Sequence, residues 1–173
     1  GRSGFAPLFE HLMFKSSTNL PPEGFDRLTE DAGGFNNAST WNDFTNYYET
    51  VPANHLERVL WGEAERMGSL VIDEANFKSE RDVVKEELRQ SYLSNPYGKL
   101  LGMYLYQSGF SVHPYGRPGI GSLENLDAAT VEDVRAFHAA YYRPDNAILV
   151  VSGNFDEAQL DSYVKTYFAG LTT

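Results

Sequence analysis

The stretch Phe5-Ala6-Pro7-Leu8-Phe9-Glu10-His11-Leu12-Met13 is the part of this chain that says most about its fold. Its apolar residues recur at helical spacing. On a helix, positions 7 and 11 lie one turn apart on the same face, and Glu10 lies beside them. Proline is accepted in the first turn, because its missing N–H would have no partner there. We therefore predict a helix over residues 5–15 that presents Glu10 and His11 together.

A histidine at position 7 would make this stretch H-x-x-E-H, the inverted zinc-protease motif. In that motif two imidazoles bind one metal ion and the glutamate lies near the metal-bound water. Position 7 is Pro7, however, so the motif lacks its first ligand. Taken alone, His11 between Leu8 and Leu12 also fits a packed, hydrogen-bonded histidine with no metal role.

A second pattern lies downstream in Glu80-Arg81-Asp82-Val83-Val84-Lys85-Glu86-Glu87. Glu80 and Glu87 are seven residues apart, which is about 20° around an α-helix, so their carboxylates face the same way. Such a helix beside His11 would supply an oxygen ligand of the kind that zinc accepts. The spacing from Glu80 favours Glu87 over Glu86 as that ligand. The alternative is a solvated helix face on which the acidic residues pair with Arg81 and Lys85.

The remaining pattern predicts more helices than strands. Alternating runs at residues 36–41 and 44–51 predict a β-hairpin, and the apolar run 147–152 predicts a buried strand. Helical spacing indicates further helices after Pro21-Pro22, at 54–68, 74–93, 99–108, 130–142 and 156–168. The predicted class is α+β, with helices packed on a mainly antiparallel sheet.

Composition excludes several classes of protein. The 173 residues include 24 acidic and 14 basic side chains, a net charge of −10, which argues against a nucleic-acid partner. The absence of cysteine excludes a disulfide scaffold and a thiolate metal site, but it leaves open a zinc site of imidazole and carboxylate. No apolar run is long enough for a membrane span. The length fits a single domain, 1–173.

Four blocks, in this order along the chain, resemble the pitrilysin/insulinase family of zinc metallopeptidases, which includes bacterial members and the mitochondrial processing peptidases. The resemblance covers nearly the whole chain. The blocks are Gly1–Ala6 leading into the motif that ends at Lys15, Gly33–Thr40 with Asp43, Thr45 and Tyr47, Glu80–Val84 with Glu87, and His113–Pro118 with Ile120 and Gly121.

The resemblance implies a role for each matching residue. His11 and Glu87 would be zinc ligands, Glu10 the general base, and Glu80 a supporting catalytic carboxylate. The edge of the hairpin would bind an extended peptide or unfolded polypeptide through Asn37, Ala38 and Ser39, although the asparagines also suit a plain hairpin. The implied activity is hydrolysis of peptide bonds through a metal-activated water. Pro7 stands where the family has its other histidine ligand.

Two expectations follow from this resemblance. Because Pro7 cannot coordinate a metal ion, we expect weak zinc binding and impaired catalysis; the alternative is a non-catalytic subunit that holds substrate or partners an active peptidase. We also expect 1–173 to be the N-terminal peptidase domain without its leading strands and the domain that follows. Its partner would then be a second peptidase domain or subunit. An acidic chain without cysteine fits a bacterial periplasm or cytoplasm equally well.

Overall fold

The computed structural model describes residues 3–171, so Gly1 and Arg2 of the first block, and the last two residues of the predicted domain, lie outside the described residues. The described part is α+β, as predicted, with a two-stranded antiparallel sheet of β1 (Phe35–Thr40) and β2 (Thr45–Thr50). Its α-helices are α1 (Phe5–Leu12), α2 (Gly24–Glu30), α3 (Leu56–Gly68), α4 (Glu74–Leu88), α5 (Leu105–Gly109), α6 (Leu123–Asp127), α7 (Val131–Tyr141) and α8 (Glu157–Phe168). Helix α4 continues into a π-helical turn, Arg89–Leu93.

The described residues divide into two compact units. The first contains residues 3–12, Ser39–Asn46 and Ile72–Val134. In it, α1 packs against α4, and α4 also packs against α6. Its buried apolar side chains come mainly from these helices, from the loop before α6 and from the first turn of α7: Phe5, Leu8, Phe9, Leu12, Phe77, Val84, Leu88, Ile120, Leu126, Val131 and Val134. The predicted amphipathic spacing in α1 and α4 thus supplies the core of this unit.

The start of α1 is held by two glycines that pack against each other. Gly4 and Gly121 have φ values of +92° and +84°, a backbone region that favours glycine. A Cβ built on Gly121 would lie 2.6 Å from the Cα of Gly4 and 2.5 Å from the carbonyl oxygen of Ser3. Pro7 lies in the first turn of α1, as predicted, where its missing N–H breaks no helical bond.

Gly121→Ala is expected to lower the free energy of unfolding by about 2–4 kcal/mol, because it adds backbone strain and a clash beneath the start of α1. Urea unfolding measures the loss. The matched control is Gly119→Ala, since Gly119 has open space around its Cβ position and an ordinary φ; it should change stability by about 0.5 kcal/mol or less. Equal losses for the two variants would show that the glycine contact does not matter.

The second unit contains Met13–Ala38, Tyr47–Val71 and residues 135–171. Helix α3 packs against both α2 and α8. Leu20, Phe25 and Leu28 form a buried apolar cluster, against which Trp61 and Leu70 pack. This unit therefore has a core of its own.

Arg66 of α3 is the largest fully buried side chain among the described residues, with an exposed fraction of 2%. Its guanidinium carbon lies over three aromatic rings, at 4.8 Å from the centroid of Phe14, 4.6 Å from Phe25 and 5.3 Å from Tyr47. The Nη1 atom donates a hydrogen bond to the carbonyl oxygen of Met13 at 3.0 Å. A buried cation of this kind requires nearby negative charge.

Two glutamates supply that charge. Arg66 Nη2 lies 3.3 Å from Glu49 Oε1, and Arg66 Nε lies 3.2 Å from Glu63 Oε1. Burial raises the pKa of Glu49, and the charge of Glu63 raises it further, against the opposing effect of Arg66. The three side chains form one electrostatic unit, in which the Arg66 cation lies beside two glutamates and the protonated form of Glu49 is favoured.

Two of the predicted elements differ from the structure. The helix predicted over 5–15 ends at Leu12, and Ser17 instead forms a turn by accepting hydrogen bonds from the N–H groups of Asn19 and Leu20. The buried strand predicted at 147–152 is wrong, because the segment lies outside any helix or strand and Ile148 and Val150 are 92% and 79% exposed. An apolar run alone does not supply the neighbouring strand that burial requires.

Candidate active site

The predicted acidic and imidazole residues of α1 and α4 come together in the first unit. His11 Nε2 lies 3.4 Å from Glu87 Oε2, and His11 Nδ1 lies 3.7 Å from Glu80 Oε2. The seven-residue spacing explains why both carboxylates reach the same ring, since it returns the side chain to the same face of α4. The imidazole thus has one carboxylate on each of its two ring nitrogens.

The two carboxylates differ in their surroundings. The Glu80 side chain is 8% exposed and accepts a hydrogen bond from Ser79 Oγ at 3.0 Å, whereas the Glu87 side chain is 48% exposed. The hydrogen bond with Glu87 raises the pKa of His11, and the charges of Glu87, Glu80 and Glu10 add to that effect, while burial opposes it. Glu80 is therefore a buried carboxylate on the Nδ1 side of the ring, and Glu87 is a half-exposed one on the Nε2 side.

Glu86 has different neighbours from Glu87. Its carboxylate contacts Arg89 Nη1 at 3.3 Å and Gln90 Nε2 at 3.0 Å on the exposed side of the helix. The structure therefore puts Glu87, the residue chosen by its spacing from Glu80, beside His11, and leaves Glu86 in the solvated ion pairs expected of a surface helix.

Glu10 contacts the β-hairpin. Its Oε2 atom accepts a hydrogen bond from Thr40 Oγ1 at 2.5 Å, and Thr40 Oγ1 lies 3.3 Å from Thr45 Oγ1. Thr40 belongs to the second sequence block, but the pattern gave it no role. No local sequence pattern indicates this contact, because Glu10 lies 30 positions before Thr40.

The three residues expected to bind peptide lie on β1. Asn37 is exposed, and its Oδ1 accepts a hydrogen bond from the backbone N–H of Ala38 at 2.8 Å. Ser39 Oγ donates to Asn46 Oδ1 at 2.5 Å and accepts from Trp41 Nε1 at 3.1 Å. Thr40, which contacts Glu10, follows directly on the same strand. The contact with Glu10 is therefore made by Thr40, which is the last residue of β1 and belongs to the first unit.

These residues do not fit a catalytic zinc centre, which normally has three protein ligands and an open position. Within residues 3–171, no group of three or more His, Cys, Asp and Glu side chains is arranged to hold a metal ion. On the Nε2 side of His11 the available donor is Glu87, whereas Glu80 faces the opposite ring nitrogen. Pro7, one helical turn before His11, has no side-chain donor atom.

Comparison with known protein families gives two matches, which together cover most of the chain. A family model described as "Insulinase (Peptidase family M16)" matches residues 2–122, and another described as "Peptidase M16 inactive domain" matches residues 128–173. The first match includes all of the candidate site residues. The family resemblance predicted from the four sequence blocks is confirmed.

Individual relatives agree with this match. The zinc protease PqqE of Helicobacter pylori is 37% identical over 171 residues, which is 99% of this chain and 38% of that protein. The mitochondrial-processing peptidase subunit beta of Saccharomyces cerevisiae is 25% identical over 166 residues, 96% of this chain and 36% of that protein. The chain thus spans less than half the length of the curated relatives that it matches.

A solved structure gives the same result for the fold. The crystal structure of a protease from Helicobacter pylori superposes with a TM-score of 0.93 and 38% sequence identity, covering 99% of this chain and 41% of that chain. Since the similarity extends over almost all of the sequence, it includes both α1 and α4, which carry the candidate site.

Proposed function

The chain belongs to the insulinase family, peptidase family M16, and we propose that it is a zinc-protease-like domain whose metal binding and peptide hydrolysis are impaired by Pro7. The observation that carries this proposal is the local geometry at His11. Glu87 lies at one ring nitrogen and Glu80 at the other, and a proline stands one turn away on the same face of α1. Relatives named zinc proteases support zinc as the metal of the family.

Within this proposal each site residue has a role. His11 and Glu87 are the two ligands that remain of an incomplete centre. Glu10 is the general base for the water that attacks a peptide carbonyl, and Glu80 fixes the imidazole of His11 through Nδ1. The contacts at 3.4 Å and 3.7 Å support the assignment of Glu87 and Glu80 to the two sides of the ring.

We propose that the substrate is an extended peptide or unfolded polypeptide that adds to the edge of β1 at Asn37, Ala38 and Ser39. The bond from the Ala38 N–H to Asn37 Oδ1 supports this, because it shows a backbone donor reaching a side-chain acceptor at an exposed residue. A substrate carbonyl could replace that side-chain oxygen, as in strand addition to a sheet edge. Thr40, the last residue of the same strand, donates a hydrogen bond to Glu10.

We further propose that the domain works with a second peptidase domain or a partner subunit, and that additional strands complete its sheet. The exposed apolar segment Ala147–Val150 supports this, because such a run normally pairs and packs within a sheet. No helix within the described residues is long and apolar enough to cross a membrane. A bacterial periplasm or cytoplasm is the proposed location.

Metal analysis and a peptide-cleavage assay on the unmodified protein test the proposed function. After dialysis against metal-free buffer, we expect far less than one zinc ion per chain and slow or absent cleavage of an unfolded polypeptide, since two ligands hold zinc weakly. Tightly held zinc near one ion per chain, with cleavage that a chelator abolishes, would contradict the proposed impairment.

A non-catalytic role in holding substrate is the second candidate function, and Pro7 is the observation that favours it. The two candidates differ in what a single substitution should restore. An impaired peptidase keeps a working Glu10, His11, Glu80 and Glu87, so one added ligand should recover cleavage when the second peptidase domain or partner subunit is present. A protein adapted only to hold substrate should bind peptide but stay inactive when the ligand is added.

A further inference from the structure

We propose that Thr40 is a positioning residue that holds the Glu10 carboxylate in one orientation, with Thr45 supporting it from the neighbouring strand. The catalytic meaning of this arrangement rests on the proposed function, in which Glu10 is the general base. The contact itself can be tested without a metal ion, because it joins α1 to the hairpin through the side chains of Glu10, Thr40 and Thr45.

The direction of the hydrogen bonds follows from chemistry. An ionised carboxylate can only accept, so Thr40 must donate its hydroxyl proton to Glu10 Oε2 across the 2.5 Å contact. Thr40 Oγ1 has then used its one proton, so in the 3.3 Å contact with Thr45 it is the acceptor and Thr45 the donor. The three groups form a directed chain from Thr45 through Thr40 to Glu10, in which each bond strengthens the next.

The hairpin holds this chain of bonds in place. Thr40 is the last residue of β1 and Thr45 the first of β2, and the N–H of Trp41 donates to the carbonyl oxygen of Phe44 at 2.8 Å between them. Both threonines are half-buried and β-branched, so their χ1 angles are restricted. A glutamate side chain has three rotatable bonds, and a fixed donor on Oε2 removes much of that freedom.

The two carboxylate oxygens of Glu10 therefore have different roles. Oε2 is bound by Thr40, so in the proposed reaction Oε1 is the oxygen that takes a proton from water. Holding the carboxylate in one orientation favours proton transfer, because a small misplacement of a catalytic group lowers the reaction rate by a large factor. Thr40 acts through Glu10 and is not itself a catalytic residue.

Thr40→Val removes the hydroxyl at nearly constant shape, and Thr40→Ser keeps it. Three-bond scalar couplings across χ1 and χ2 of Glu10, measured by NMR on the metal-free protein, report whether that side chain holds one rotamer. We expect one rotamer in the unmodified protein and in Thr40→Ser, and averaged couplings in Thr40→Val. The Val variant should also lose about 2–6 °C in Tm, a loss that becomes smaller when Glu10→Ala is already present.

Unchanged Glu10 couplings in Thr40→Val, or Tm losses that simply add in the double variant, would overturn the inference. Failure of the proposed function gives a different result, namely no peptide cleavage when Pro7 is replaced by histidine and the second peptidase domain or partner subunit is present, and it leaves the NMR outcome unaffected. Where that replacement gives cleavage, Thr40→Val should lower kcat by about 10-fold at constant KM, and Thr40→Ser by about twofold or less. Equal kcat for Thr40→Val and the parent would also overturn the positioning role.

Discussion

Pro7→His is expected to raise the affinity for zinc by at least about 100-fold. Removing a residue that only hydrogen-bonds a metal ligand already lowers metal affinity by about 10–100-fold, and a direct ligand should contribute at least as much. The added imidazole would lie one turn before His11 on the same face of α1, and Glu87 already lies 3.4 Å from His11 Nε2. These are the three protein ligands of a catalytic site. Competition titration against a chelator of known affinity measures the gain, and metal analysis should give about one zinc per chain.

Pro7→Ala is the matched control, since it removes the proline ring and adds no donor atom. It should leave zinc binding as weak as in the unmodified protein. Glu87→Gln in the Pro7→His background should then lose most of the gain, because it removes the carboxylate that faces Nε2. If Pro7→Ala and Pro7→His bound zinc equally well, the weak zinc binding of the unmodified protein would come from the effect of the proline ring on the helix. The missing ligand would then not be its cause.

Arg66→Met is expected to lower the free energy of unfolding by about 3–5 kcal/mol, the usual cost of removing one partner from a buried charge pair. The substitution leaves Glu49 and Glu63 without their buried cation and removes the contacts with three aromatic rings. Burial and the charge of Glu63 raise the folded-state pKa of Glu49 to about 8, and removing Arg66 raises it further, so the loss should grow as pH rises above about 8. Urea unfolding at several pH values measures it.

Arg58→Met is the control for Arg66→Met, since both arginines belong to α3. Arg58 is 37% exposed, lies 3.8 Å from Asp31 and donates to the carbonyl oxygen of Arg27. A solvent-exposed pair of this kind contributes about 1 kcal/mol or less. A similar loss for both variants would mean that the buried cluster around Arg66 contributes no more than a surface ion pair.

Local periodicity explains how much of the site could be predicted. The apolar spacing in residues 5–13 fixes which face of α1 is buried and hence where His11 and Glu10 point. The spacing of Glu80 and Glu87 likewise determines that one face of α4 carries both carboxylates. The contacts between these two helices then follow, because both faces lie beside the buried stripes that pack together.

Contacts between residues distant in sequence explain what could not be predicted. Nothing in the residues around Thr40 specifies that Glu10, thirty positions earlier, lies within hydrogen-bond distance. Arg66 is similar, since its burial depends on rings and carboxylates from several segments. The prediction of a strand at 147–152 was wrong for a related reason. An apolar run favours burial, but the partner strand that it needs must come from another part of the fold.

X-ray diffraction at the zinc absorption edge, from crystals of the unmodified protein soaked in zinc, tests the central claim most directly. The account predicts no strong anomalous peak between His11 Nε2 and Glu87 in the unmodified protein, and a strong peak there in Pro7→His. A peak of full occupancy at that position in the unmodified protein, with a tetrahedral ligand set, would contradict it.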